Sequence, residues 1–188
     1  MQKSKKKILG ISGSTKSKST SLAILKFIAE ENKDNIHLNI YNRISELPHF
    51  NPELEEQLPD SVLELRNLIE DSDGILFCAP EYVFSLPGSL KNMIEWNVST
   101  VLFSSKPVAM IIAAASGEKA FESLDLILTT IESTLPNNSK LLIQGAKGKI
   151  EKNGSISDKK VISKLKVVIS SLTDTIDNTN RKPTKYEK

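Results

Sequence analysis

Gly74-Ile75-Leu76-Phe77-Cys78-Ala79 is apolar at every position, and Pro80-Glu81-Tyr82-Val83-Phe84-Ser85-Leu86-Pro87 follows it. A strand with no polar alternation is buried on both faces, as the central strand of a parallel sheet is. Working outward, the same rhythm recurs on each side. Residues 7–12 (KILGIS) read as a strand ending in a Gly/Ser turn. Residues 20–32 place Leu22, Ile24, Leu25, Phe27 and Ile28 at helical spacing, and residues 36–41 form a less buried, alternating strand. Residues 42–59 are a long loop with three prolines. Asp60 or Ser61 then caps a helix whose Val62, Leu65, Leu68 and Ile69 share a face. Beyond the central strand, residues 88–97 are a helix, 107–115 (PVAMIIAAA) a second buried strand and 141–144 a fifth strand. Leu124, Ile127, Leu128 and Ile131 stripe the helix between them. Val161, Ile162, Leu165, Val168, Ile169 and Leu172 stripe the last one. Alternating strands and helices demand right-handed crossovers and a doubly wound parallel α/β sheet. One domain over residues 1–176 is expected, with 177–188 a frayed tail because few apolar groups remain there.

Composition narrows the function. The chain has 188 residues, 39% hydrophobic and 26% charged, with one cysteine and two histidines. A single cysteine excludes an intrachain disulfide framework and multi-cysteine metal sites. Cys78 reads as core filler rather than a redox thiol. The net charge of +2 is concentrated at the ends, residues 1–7 and 181–188, expected to be solvated basic tails. The remaining 17 bases and 22 acids leave the body at −5. That body lacks the basic face nucleic acid requires. No apolar run reaches the roughly 20 residues of a membrane span, and residues 8–11 are too short for a signal-peptide core, so a cytoplasmic protein is expected.

Doubly wound sheets bind ligands beyond the carboxyl ends of their strands, where strand order switches. The turns after strands one, three and four are therefore the ones to read. The first, Gly13-Ser14-Thr15-Lys16-Ser17-Lys18-Ser19-Thr20-Ser21, gathers hydroxyls and two cations at a helix N-terminus. Free backbone amides and the helix dipole there suit an anion, phosphate above all. Neither the P-loop pattern nor G-x-G-x-x-G is present, which leaves a mononucleotide phosphate. After the third strand, Tyr82 and Phe84 offer aromatic surfaces beside that turn.

The string after the third strand, PEYVFSLPGSLKNMIEW (residues 80–96), resembles the NADPH-dependent FMN reductase family, whose pattern there is P-E-Y-N-x-S-x-P-G-x-L-K-N-x-[IL]-[DE]-W. The family's G-S-x-R-x-x-S-x-[NS] phosphate turn is matched by GSTKSKSTS, with Lys16 in the Arg place. Residues 47–55 (LPHFNPELE) look like its second-strand loop, so the likeness spans roughly residues 6–172. The resemblance implies a flavodoxin-like five-stranded sheet of order 2-1-3-4-5. It also implies an enzyme with bound FMN and NADPH or NADH as co-substrate, passing two electrons to a quinone, azo, nitro, metal-ion or flavin acceptor. Ser14, Lys16, Ser19, Thr20 and Ser21 would surround the phosphate. Pro80, Glu81, Tyr82, Val83 and Ser85 would border the ring, and Ser116 and Gly117 would meet it from the fourth turn. Val83 stands in the Asn place, and Glu118 adds bulk and charge where the nicotinamide would approach. A non-enzymatic electron carrier is the alternative, although carriers of this type are usually strongly acidic. A homodimer, or a tetramer formed by pairing two dimers, is expected because Phe50, Leu54, Met93 and Trp96 are more apolar surface than one small domain buries.

Overall fold

The structure, a computed structural model, describes residues 4–150 and 154–185. Its five strands are β1 (Lys6–Ser12), β2 (Ile36–Tyr41), β3 (Gly74–Ala79), β4 (Val108–Ala114) and β5 (Lys140–Gln144). All pair in parallel, in the order β2-β1-β3-β4-β5. The helices are α1 (Thr20–Glu31), α2 (Asp60–Glu70), α3 (Gly88–Glu95), α4 (Glu118–Thr130) and α5 (Lys159–Asp177). The sheet is the doubly wound one expected, with the flavodoxin-like strand order.

Alternating side chains of each inner strand feed two separate cores. On one face Ile8, Leu76, Cys78, Ala109 and Ile111 pack beneath α1 and α5. On the other, Leu9, Ile11, Ile75, Phe77, Met110 and Ile112 pack beneath α2, α3 and α4. Every residue of β3 is buried, which is why its sequence shows no polar alternation.

Four local expectations change. Helix α2 is preceded by Pro59 at its N-cap rather than Asp60 or Ser61, and no side chain caps it. The proline's fixed φ of −58° launches the helix instead. Lys6, expected in a solvated tail, joins Lys7 at the start of β1. Lys6 forms an ion pair with Asp177, and the amide of Lys7 donates to Asp73 Oδ2 at 2.7 Å. Residues 178–185 are docked, not frayed: Thr184 N donates to Ser133 O at 2.9 Å and Arg181 Nε to Ser105 O at 3.0 Å. Backbone and guanidinium donors hold this segment where apolar burial could not. Residues 1–3 and 186–188 of the basic ends lie outside the described residues. Finally, Met93 and Trp96 are fully buried within the chain. Phe50 meets Trp96 edge-to-face, with ring centroids 5.3 Å apart. Of the four, Leu54 stays exposed, and further uncovered apolar surface sits at Leu63, Val98 and Val101.

Candidate functional site

Strand order reverses between β1 and β3, where β1 is the starting point for both halves of the sheet. The turns leaving these two strands are joined directly: Gly13 N donates to Cys78 O at 2.8 Å. Only glycine permits this approach, because a Cβ on residue 13 would lie 2.6 Å from Ala79 Cβ.

Beyond Gly13, Ser14 is buried while Thr15, Lys16, Ser17 and Lys18 are exposed. Ser14 Oγ accepts from Lys16 N at 3.3 Å, curling the turn back on itself. Ser19 is the N-cap of α1, and its Oγ accepts from Leu22 N at 3.1 Å. Its hydroxyl hydrogen remains available to an anion, as do the amides of Thr20 and Ser21, which have no intrahelical acceptor. Two further hydroxyls are buried here. Ser12 Oγ, at the end of β1, has no hydrogen-bond partner among the described residues. Ser21 Oγ is likewise buried, beside the Cys78 thiol. The Ser21 hydroxyl is beside the thiol, whereas an unpaired buried hydroxyl such as Ser12 Oγ is costly and is satisfied by a ligand atom or a water. The open donors of the turn itself are the Ser19 hydroxyl and the first-turn amides. The residues present therefore fit a phosphate monoester. Ser12 was missed in the sequence because it closes an otherwise apolar strand.

The loop after β3 is a two-residue hairpin. Tyr82 and Ser85 exchange backbone hydrogen bonds, N to O at 2.9 Å and 3.0 Å. Val83 and Phe84 at its tip have φ of 49° and 54° and are 96% and 77% exposed. This matches the primed turn that hairpins favour, built here from residues that avoid it. Tyr82 is 45% exposed, so the aromatic surface expected beside the first turn is solvent-facing.

The fourth turn is bound to the third. Glu81 Oε1 accepts from Gly117 N, and Oε2 from Lys119 N and Ala120 N, all at 3.1 Å. Ser116 is exposed beside it, and Gly117 holds φ of 89°. The Glu118 side chain is turned toward β5, where Oε1 accepts from Gln144 Nε2 at 3.1 Å.

Behind these turns lies a clamp that the sequence did not announce. Asn92 of α3 accepts from Phe50 N at 2.7 Å and donates to Pro48 O at 2.9 Å. Trp96 Nε1 donates to the same Pro48 carbonyl at 2.8 Å. Arg66 of α2 donates to Trp96 O through Nε at 3.0 Å and to Glu55 through Nη2 at 2.9 Å. The guanidinium holds the Glu55 carboxyl below the usual carboxylate range. The residues of the KNMIEW segment thus bind the loop after β2 to the sheet's carboxyl end.

Two other features are structural. Burial pushes the Cys78 thiol up to about 12, so it is inert at neutral pH. A cavity of about 530 Å3 opens at the opposite end of the sheet, lined by Asp73, Lys106 and Arg181 among others. Its Lys106 Nζ already donates to Ile69 O at 3.0 Å and Ser72 O at 2.8 Å. Arg181, bonded to Ser105 O, is similarly engaged. No group of three or more metal-ligating side chains occurs among the described residues. None of their helices is long and apolar enough to cross a membrane.

Comparison with known proteins agrees with this geometry. The chain is 29% identical to the NADH-dependent flavin reductase subunit 2 of Lactobacillus johnsonii, over 93% of this chain and 100% of that one. It is also 29% identical to an NAD(P)H:quinone oxidoreductase of Solanum tuberosum, over 88% and 90% respectively. Its fold superposes on FerB, a flavoenzyme NAD(P)H:(acceptor) oxidoreductase from Paracoccus denitrificans, with a TM-score of 0.78 and 27% identity. That superposition covers 92% of this chain and 97% of that one. The model of the NADPH-dependent FMN reductase family matches residues 6–148, and the chain belongs to that family.

Proposed function

We propose that this chain binds FMN across the turns after β1, β3 and β4 and acts as an NAD(P)H-dependent reductase of small acceptors. Quinones and flavins are the first acceptors to consider, with azo, nitro and metal-ion compounds behind them. The observation that carries the reading is the joining of all three turns at the switch point, by Gly13 N to Cys78 O and by Glu81 to the start of α4.

The bound flavin supplies the two-electron redox chemistry, and the protein supplies orientation and electrostatics. Ser14, Ser19, Thr20 and Ser21 hold the phosphate through hydroxyls and first-turn amides, and Lys16 adds a positive charge from the rim. A lysine acts there as a point charge, without the two-pronged grip of arginine. Pro80, Glu81, Tyr82, Val83 and Ser85 form one border of the ring site, and Ser116 and Gly117 another. The exposed tip at Val83 and Phe84 gives an apolar approach suited to flat acceptors. No side chain is assigned as an acid or base.

The functional molecule is a homodimer, able to pair again into a tetramer. Leu63 (47% exposed), Val98 (63%) and Val101 (83%) support this, as apolar groups on the α2–α3 side that this chain leaves uncovered. The cytoplasm, where reduced nicotinamides are available, is the compartment proposed.

The test is spectroscopic. Purified protein should take up one FMN per chain with quenching of flavin fluorescence, and anaerobic NADPH or NADH should bleach the visible band. Failure to bind FMN at micromolar concentration, or a band indifferent to both nicotinamides, overturns the proposal.

A further inference from the structure

Helix α4 has no N-cap side chain of its own, because the residue at that position is Gly117. The acceptor comes from 36 residues upstream. Glu81 takes the amides of Lys119 and Ala120, the second and third residues of the helix, with Oε2, and that of Gly117 with Oε1. Lys119 and Ala120 carry the two N–H groups that a local Ser, Asp or Asn cap would satisfy. Gly117 is itself irreplaceable in this arrangement. Its φ of 89° disfavours any side chain, and a Cβ there would stand 2.7 Å from Leu142 Cδ1 and 3.0 Å from Ile112 Cγ2.

We propose that Glu81 is a positioning residue: its carboxylate serves as a remote N-cap that ties the loop after β3 to the start of α4. Two walls of the site are thereby held in register before any ligand arrives. The inference rests on the flavin site proposed above, although the tie itself is a property of the chain alone. Both carboxylate oxygens are occupied by backbone donors, which leaves neither aimed at a substrate as acid or base. The negative charge at the positive end of the α4 dipole strengthens the tie. The hairpin 82–85 begins at the residue after Glu81, so its placement follows the carboxylate. Glu81 thus sets where Tyr82, Val83 and Ser85 stand relative to Ser116 and Gly117.

The test compares Glu81→Ala and Glu81→Gln with the parent, first without flavin by amide hydrogen exchange. In Glu81→Ala, exchange should rise together at residues 80–86 and 116–121, while residues 13–21 and the β-strands keep their parent protection. Glu81→Gln retains one acceptor oxygen and should lie between. A rise at 116–121 without one at 80–86 would mean that Glu81 only caps the helix, and overturns the proposal. So would parent-like exchange in both segments, or a uniform rise across the chain. The second arm is affinity. Glu81→Ala should weaken FMN and riboflavin by the same factor, roughly 10- to 100-fold, the scale of losing one or two charged hydrogen bonds. Equal factors are expected because the phosphate turn is untouched. A loss for FMN alone, or for neither, overturns the positioning role. Absence of FMN binding by the parent would instead defeat the flavin reading and leave the exchange arm standing.

Discussion

Val83 occupies a left-handed position, φ 49°, in which a β-branched side chain crowds its own backbone, and Phe84 follows at 54°. Asn, the residue the family pattern carries at this place, tolerates that conformation because its short polar side chain bonds locally. The substitution therefore bears on backbone strain as well as on a lost amide contact. Val83→Asn should raise stability by about 1 kcal/mol, read from urea midpoints at unchanged slope. A destabilised variant would show that the exposed valine makes a compensating contact in an assembly. Lys16 is exposed at the rim of the first turn. Lys16→Ala should weaken FMN by about 1–3 kcal/mol while leaving riboflavin affinity unchanged, since only the phosphate meets that charge. Glu118 adds bulk and charge at the fourth turn, and its Oε1 accepts from Gln144 Nε2, which turns the carboxylate toward β5. Glu118→Gly should accordingly leave flavin reduction by NADPH within about twofold of the parent. It should cost up to about 1 kcal/mol of stability, by placing glycine in the first turn of α4. A large acceleration in stopped-flow reduction would mean that Glu118 crowds the nicotinamide.

At the scale of elements, the carboxyl end of the sheet is built from loops that have little regular structure of their own. The turn after β1 is tied by a backbone bond, and the loops after β2, β3 and β4 by side chains from neighbouring helices or loops. Arg66 is the most connected of these, reaching Glu55 and the Trp96 carbonyl from a largely buried position. Because the Glu55 pKa is depressed in the folded state, its contribution is fully present above its ordinary value of 4.5. That contribution is lost as pH falls below it. Arg66→Ala should lower the melting temperature at neutral pH, and the gap from the parent should narrow as pH falls from about 5 to 3. A gap independent of pH would show that the bonds to Trp96 O, not the ion pair with Glu55, carry the effect.

On the scale of the whole molecule, the site faces outward along one end of the sheet, with the hairpin tip and Tyr82 in solvent. If donor and acceptor share that single opening, oxidised nicotinamide must leave before a planar acceptor can stack. Steady-state kinetics should then give parallel double-reciprocal lines. Intersecting lines would mean that both substrates are accommodated together. Light scattering should report a dimer at micromolar concentration, and Val101→Asp should shift it toward monomer while leaving the fold intact. A parent monomer would remove the dimer from the proposal.

The alternation of apolar strands with striped helices was enough to establish the sheet. β3 and β4 are buried on both faces, and that requirement is written into every residue of GILFCA and VAMIIAA. The hydroxyl-rich turn before a helix was equally plain, because the groups that suit an anion at a helix N-terminus lie in a few consecutive residues. What remained hidden depended on distant partners. Trp96 and Met93 read as surplus surface until the loop after β2 folded over them. Asn92 and Arg66 gain meaning only from carbonyls that the chain brings to them. Residues 178–185, poor in apolar groups, are held by hydrogen bonds to Ser105 and Ser133 that no composition could announce. Glu81 is the clearest case. Its letter belongs to a motif, but its task is to cap a helix 36 residues away, and only the pairing of β3 with β4 brings donor and acceptor within 3.1 Å. Periodicity records which face of an element is buried, whereas a side chain's bond to a remote backbone group leaves no periodic trace in either segment.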